Sequence, residues 1–200
     1  MDLSDGFIDI HCHLLPGLDD GASCWQQSLD MAKIALSESI QGMIVTPHQL
    51  GSYRQNSGQI IRELTQEFQQ KLEAANLPLR VYPGADVRID DTMMEGLRSG
   101  DVLTLGDHGQ HVLLELPHEL YFPLEPVLDS LAELGMTGIL SHPERNHGLL
   151  GDRGPIQTLV EKGCLMQITA GSLSGSFGPR CQQMAEWMLG NPSIGIAAVG

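Results

Sequence analysis

The chain has no long apolar run. Nowhere do its 200 residues contain the uninterrupted apolar stretch of a bilayer-spanning helix, which needs roughly 18 to 20 residues. Its start, Met1-Asp2-Leu3-Ser4-Asp5, is acidic and lacks the basic opening and apolar core of an export signal. These absences predict a cytoplasmic protein with no membrane span. Basic charge is scarce as well. Lys and Arg total 11 against 25 Asp and Glu, a formal net charge of −14. Such a chain repels polynucleotides, so no nucleic-acid partner is expected. It would also repel a phosphorylated substrate unless cations or local arginines reverse the sign at the site.

Cysteine is sparse and unpaired in pattern. Cys12, Cys24, Cys164 and Cys181 form no Cys-x-x-Cys pair and read as reduced, mostly buried thiols. None opens the Cys-x-x-x-x-x-Arg loop of a cysteine-dependent phosphatase, because Leu18, Asp30, Ala170 and Trp187 stand at the arginine position. A Gly-x-Ser-x-Gly elbow is missing too. Gly171-Ser172-Leu173-Ser174-Gly175 comes near it but places Leu173 where the nucleophile would be. No Gly-x-Gly-x-x-Gly follows the first expected strand.

What is present is an alternation of short apolar runs and amphipathic stretches. Strands are expected at residues 7–10, 42–46, 79–85, 111–116, 137–141, 164–169 and 194–199, with a minor one at 102–105. Pro83-Gly84 should end or bend the third. Helices are expected where Trp25, Leu29, Ala32 and Leu36 recur, capped by Ser23, and where Ile61, Leu64, Phe68 and Leu72 share a face. Others are expected at 91–98, at Val127, Leu128, Leu131 and Leu134, around Ile156, Leu159 and Val160, and at 179–189. Strand–helix alternation implies parallel pairing, and no boundary or low-complexity tract interrupts it. The reading is α/β: one domain over residues 1–200, a β/α (TIM-like) barrel. Barrels of this kind usually need about 250 residues. The chain stops at Gly200 directly after a strand, so an incomplete C-terminus is expected.

Histidines and carboxylates fall at the ends of those strands. His11 and His13 follow the first, with Asp19 and Asp20 soon after; His48 follows the second and Asp86 the third. Glu115 lies near the end of the 111–116 strand, and His142 closes the 137–141 strand. In a β/α barrel such positions share the C-terminal rim, where active sites form. Alternate residues of an extended segment point the same way, so His11 and His13 can reach one ion. Mixed imidazole and carboxylate donors suit Mn²⁺, Fe or Zn²⁺. Several carboxylates in one pocket repel each other without cations, which favours more than one ion.

The blander readings have weight singly. His142 before Pro143 suits a strand-ending hydrogen bond, and Asp19-Asp20-Gly21 suits a turn. Glu115, inside Val112-Leu113-Leu114-Glu115-Leu116, resists such a reading, because a buried carboxylate is costly unless paired or metal-bound. His108, His111, His118 and His147 read as surface or loop residues, and Asp107-His108-Gly109 as a turn. Arg145, in Glu144-Arg145-Asn146, suits bidentate phosphate contact or an exposed salt bridge. Arg54 and Arg88 are weaker substrate-binding candidates. The polar stretch from Thr169 to Gly178 is expected to be a flexible loop.

Several ordered motifs resemble one family. Asp9-Ile10-His11-Cys12-His13-Leu14-Leu15-Pro16-Gly17-Leu18-Asp19-Asp20-Gly21 is similar to the opening of the PHP-type bacterial tyrosine-protein phosphatases of capsule and exopolysaccharide operons. The resemblance continues through Val45-Thr46-Pro47-His48, Pro83-Gly84-Ala85-Asp86-Val87-Arg88 and Leu114-Glu115-Leu116-Pro117. It extends to Ser141-His142-Pro143-Glu144-Arg145-Asn146 and Gln167-Ile168-Thr169-Ala170-Gly171-Ser172-Leu173.

The resemblance implies a distorted PHP-type barrel with a trinuclear, usually manganese, site. It also implies hydrolysis of phosphotyrosine on a partner tyrosine kinase that controls polysaccharide export. Matched position by position, His11, His13, Asp20, His48, Glu115 and His142 correspond to the family's metal ligands. Arg145 contacts phosphate, and His48 and Arg145 are the residues expected at the reaction. The resemblance implies two to three ions. Asp86 stands where the family has Glu. The family's Ser-Asp-x-His motif is expected after Gly200, and a chain lacking it should be weakly active or inactive. A non-catalytic phosphopeptide-binding relative, and a phosphoesterase acting on a small phosphate, are the alternative readings. Oligomerisation is open.

Overall fold

A computed structural model describes residues 6–199; the acidic opening and Gly200 lie outside the described residues. The chain divides into two compact units, Met1–Gly109 and Gln110–Gly200.

The first unit begins with β1 (Phe7–Cys12), α1 (Trp25–Ser37), β2 (Ile40–Val45), β3 (His48–Gln49) and α2 (Gly58–Ala74). It continues with β4 (Arg80–Pro83), β5 (Asp86–Arg88) and α3 (Met93–Ser99). β1, β2 and β4 form a parallel sheet in that order. α2 is amphipathic as expected. Ser57 caps it by accepting the Ile60 N–H at 3.3 Å. Ile61, Phe68 and Leu72 are fully buried, and each contributes roughly 1.5–3 kcal/mol. Trp25 of α1 stacks on Phe68, ring centroids 5.7 Å apart. Ser23 does not cap α1. The N-cap is Cys24, and the Ser23 N–H and Oγ–H both donate to Gln27 Oε1, at 2.9 and 3.0 Å. The glutamine reaches back past the cap and takes the serine's hydrogen-bonding capacity.

Two strands break in the same way. β2 stops before Thr46-Pro47 and the chain resumes as β3; β4 stops at Pro83 and resumes as β5. The expected bend at Pro83-Gly84 is therefore a change of strand partner. A Cβ on Gly84 would lie 2.6 Å from Ile44 Cγ2, so the step needs glycine there. β3 and β5 then pair with each other, parallel, with His48 opposite Asp86. No strand forms at residues 102–105. The buried Gln49 side chain accepts the Leu103 N–H at 2.8 Å and donates to the carbonyls of Asn56 and Asp101. A side chain takes the place of a ladder partner, and a 3₁₀ turn follows at Leu105–Asp107.

The second unit has β6 (His111–Glu115), α4 (Glu125–Glu133), β7 (Thr137–Ser141) and α5 (Gly154–Glu161). β8 (Leu165–Ile168), α6 (Ala170–Leu173), α7 (Pro179–Leu189) and β9 (Ile196–Val199) complete it. β6, β7, β8 and β9 lie side by side in that order, all parallel. Strands buried on both faces read as continuous apolar runs. Val112, Leu113, Leu114, Leu140, Met166 and Ile168 obey this, each fully buried. Gly138 lets α4 close on β7, since a Cβ there would stand 2.8 Å from both Leu114 Cδ1 and Leu128 Cδ2. The expected loop after β8 contains the single-turn helix α6.

Candidate metal centre

The first unit gathers five expected ligands into one cluster. His11 and His13 bring their Nε2 atoms to 3.3 Å, and His11 Nε2 lies 3.6 Å from Asp86 Oδ2. His48 Nδ1 stands 3.3 Å from the same Asp86 oxygen, and His48 Nε2 lies 3.6 Å from Asp20 Oδ1. His13, Asp20 and His48 each offer a donor atom, all within 4.8 Å of one another. The register explains part of this. His48 and Asp86 are direct parallel partners, and the Asp86 N–H donates to the Pro47 carbonyl at 3.2 Å.

Asp19 orients the cluster. An ionised carboxylate only accepts, so His13 Nδ1–H donates to Asp19 Oδ2, at 2.7 Å. The His13 Nε2 then carries the lone pair that a metal needs. Asp19 also accepts the Gly21 N–H at 2.9 Å and the His48 N–H at 3.0 Å. Burial pushes its carboxyl upward in pKa. The hydrogen bonds from His13, Gly21 and His48 outweigh that and hold it below the usual carboxylate range. The pattern Asp19-Asp20-Gly21 that suits a turn is a turn here, and it also supports a candidate ligand.

Gly21 has its own constraint. A Cβ at this position would lie 2.3 Å from the His13 carbonyl oxygen. Tyr53 stacks on His48 at 5.2 Å and 22°, with no sequence signal to announce it. Asp86 is fully buried beside two imidazoles, an arrangement that bound cations would balance. The donors fit a divalent ion that accepts mixed nitrogen and oxygen ligands.

In the second unit, Glu115 ends β6 and is 3% exposed. His142 follows β7 in a left-handed conformation, φ 34°, ψ 53°, uncommon for a residue other than glycine and a strain that functional sites retain. Its N–H donates to Gln167 Oε1 at 3.2 Å, and its ring stacks on His118 at 5.8 Å. Glu144 is no exposed salt-bridge residue. It is fully buried and accepts the Thr169 N–H at 2.9 Å and the Ser172 hydroxyl at 2.8 Å. Burial raises its pKa, against those bonds. Arg145 instead lays its guanidinium over Phe177, 4.3 Å from the ring centroid. Of the other arginines, Arg54 pairs with Asp90 at 2.7 Å on the surface, and Arg88 runs beside Gly51. His108, His111, His118 and His147 are exposed, as expected.

Residues 7–199 match the family described as "Capsular polysaccharide synthesis, CpsB/CapC". The chain belongs to this family. Among CpsB/CapC relatives, the tyrosine-protein phosphatase YwqE of Bacillus subtilis (strain 168) is 36% identical over 173 residues, 86% of this chain and 67% of that protein. The putative tyrosine-protein phosphatase CapC of Staphylococcus aureus is 29% identical over 183 residues, 91% of this chain and 71% of that protein. A structure from work on YwqE and on CpsB of Streptococcus pneumoniae, described as unique metal-dependent tyrosine phosphatases, superposes with TM-score 0.89 at 33% identity. It covers 94% of this chain and 76% of that one. The α/β fold of PHP type expected from the sequence is the fold found.

Proposed function

We propose that this protein is a cytoplasmic, metal-dependent protein-tyrosine phosphatase whose substrate is a phosphotyrosine-bearing bacterial tyrosine kinase of polysaccharide export. The observation that carries the reading is the His13, Asp20 and His48 cluster, with Asp19 fixing the tautomer of His13. The phosphatase relatives support the substrate class. Among the described residues no helix is long and apolar enough to cross a membrane.

His11, His13, Asp20, His48 and Asp86 are the assigned ligands of the first unit, and Glu115 and His142 those of the second. Mn²⁺ is the first choice of ion, with Fe or Zn²⁺ as the other fits for such donors. Bound ions of this class lower the pKa of a coordinated water and neutralise charge on phosphoryl oxygens. The chain's own part is positional. Asp19 holds His13 through Nδ1 so that Nε2 faces the ions, and the Asp86 carboxylate holds His11 and His48. His48 borders the reacting phosphoryl group as well as binding metal. Arg145 takes the phosphate through its guanidinium, whose plane Phe177 supports.

The full-length protein, purified with Mn²⁺, should hold about two to three equivalents of metal and hydrolyse phosphotyrosyl peptides. His11→Ala and His142→Ala should each lose both metal and turnover. Wild-type protein that binds no metal, or that hydrolyses small phosphate esters while ignoring phosphotyrosyl peptides, overturns the reading.

A further inference from the structure

Two adjoining hollows lie in the second unit, of about 380 and 200 Å³. They share His147, Phe177 and Cys181 as common walls. The smaller one is completed by His118 and Arg145, the larger by Arg180 and the start of α7. Their charge is unlike that of the chain. A protein with 25 acidic and 11 basic residues lines this groove with Arg145, Arg180, His118 and His147 and with no carboxylate. At its rim, exposed Glu119 pairs with His147 Nδ1 at 2.8 Å. Glu144, the buried carboxylate of the same turn, is already turned to Thr169 and Ser172.

The groove borders residues assigned to phosphate chemistry. His118 stacks on His142, and Arg145 is fixed over Phe177. Phe177 itself is 44% exposed, an aromatic wall that faces solvent at the groove's middle. A substrate whose phosphate meets Arg145 would lay its neighbouring residues along Phe177 toward Arg180 and the N-terminal end of α7. The positive end of that helix adds to the field of Arg180. Surface cations arranged this way choose partners by charge.

We propose that this groove is a specificity subsite for acidic residues next to the phosphotyrosine, with Arg180 as its reading cation. The proposal rests on the phosphatase reading above and names the class of peptide that the same site accepts. It also answers the question posed by a net charge of −14: an anionic substrate finds a locally cationic landing strip.

The test uses fluorescent peptides carrying a non-hydrolysable phosphonate analogue of phosphotyrosine, flanked by Asp and Glu or by Lys, with affinity read by anisotropy. The acidic peptide should bind about tenfold tighter than the lysine one at low salt, and less so at high salt. Arg180→Glu should bring the ratio to about one or reverse it, while Arg180→Lys keeps most of it. Equal affinities in the wild type, or a ratio unmoved by Arg180→Glu in a variant with native circular dichroism, overturns the subsite. Binding needs no turnover. A protein that discriminates the peptides but fails to hydrolyse phosphotyrosine with Mn²⁺ would keep the subsite and sink the phosphatase reading.

Discussion

Asp19 accepts the Nδ1 hydrogen of His13 at 2.7 Å, and through that bond the carboxylate decides which imidazole nitrogen faces the candidate ions. The same carboxylate holds the backbone of His48 at 3.0 Å and of Gly21 at 2.9 Å. One side chain thus sets two candidate ligands and the turn at Gly21. Carboxylates that back a ligating histidine typically contribute 10–100-fold in metal affinity, roughly the range expected here. Asp19→Ala should weaken metal binding by about that factor, measured by competition with a chromophoric chelator. Unchanged affinity would remove Asp19 from the site's support.

The depressed pKa of Asp19 predicts a pH dependence. A carboxyl whose folded value lies below its unfolded value, about 3.9, stabilises the fold fully above that pH. The stabilisation is lost as the pH falls through the folded value. Metal-free Asp19→Asn should therefore melt below the wild type near neutrality, and the gap should close on acidification below about pH 4. Thermal melts of both proteins across that range, in chelator, check the sign. A gap that widens in acid contradicts it.

Gly21 tests how tightly the His13 turn is built. A methyl group there has to displace the His13 carbonyl, since the two would stand 2.3 Å apart. Overpacking of this kind costs about 1–3 kcal/mol, and here the strain acts on the backbone of a candidate ligand. Gly21→Ala should lower the urea midpoint without changing the slope, and should weaken metal binding in parallel.

Metal removal should have a size set by linkage. A ligand present at a hundredfold its dissociation constant stabilises the native state by about 2.7 kcal/mol per site. Adding Mn²⁺ to chelated protein should raise the melting temperature in a concentration-dependent way. Asp86→Ala should blunt that rise, because the buried carboxylate lies against both His11 and His48.

Much of this was legible from strand ends. His11, His13, His48 and Asp86 follow apolar runs, and in a parallel sheet such positions share one edge. Less legible were the pieces too short for any period. β3 and β5 are two and three residues long, and they put His48 opposite Asp86. Asp19 hid inside a turn pattern because it serves both turn and imidazole. The burial of Glu144 has no signal in its neighbours; it accepts from Thr169 and Ser172, donors that come from the distant β8–α6 segment. The apolar residues near 102–105 look like a strand, but a distant glutamine, Gln49, satisfies the backbone there. The left-handed turn at His142 leaves no trace in residue type.

Cys12 sits between two candidate ligand histidines and is the natural suspect for covalent catalysis. Its surroundings argue the other way. Burial, and then the Asp9 carboxylate, push its thiol up to about 12, against a backbone hydrogen bond from His13. At neutral pH the thiolate is then roughly one molecule in 10⁵, whereas reactive cysteines are held far lower. Cys12→Ser should keep its metal and keep turnover within about twofold, since no step passes through the sulfur. Iodoacetamide should leave Cys12 unmodified in the native protein at pH 7.5, while exposed Cys24 reacts; peptide mass analysis reads both. A Cys12→Ser protein with full metal content and no activity would return a thiol-based route to contention.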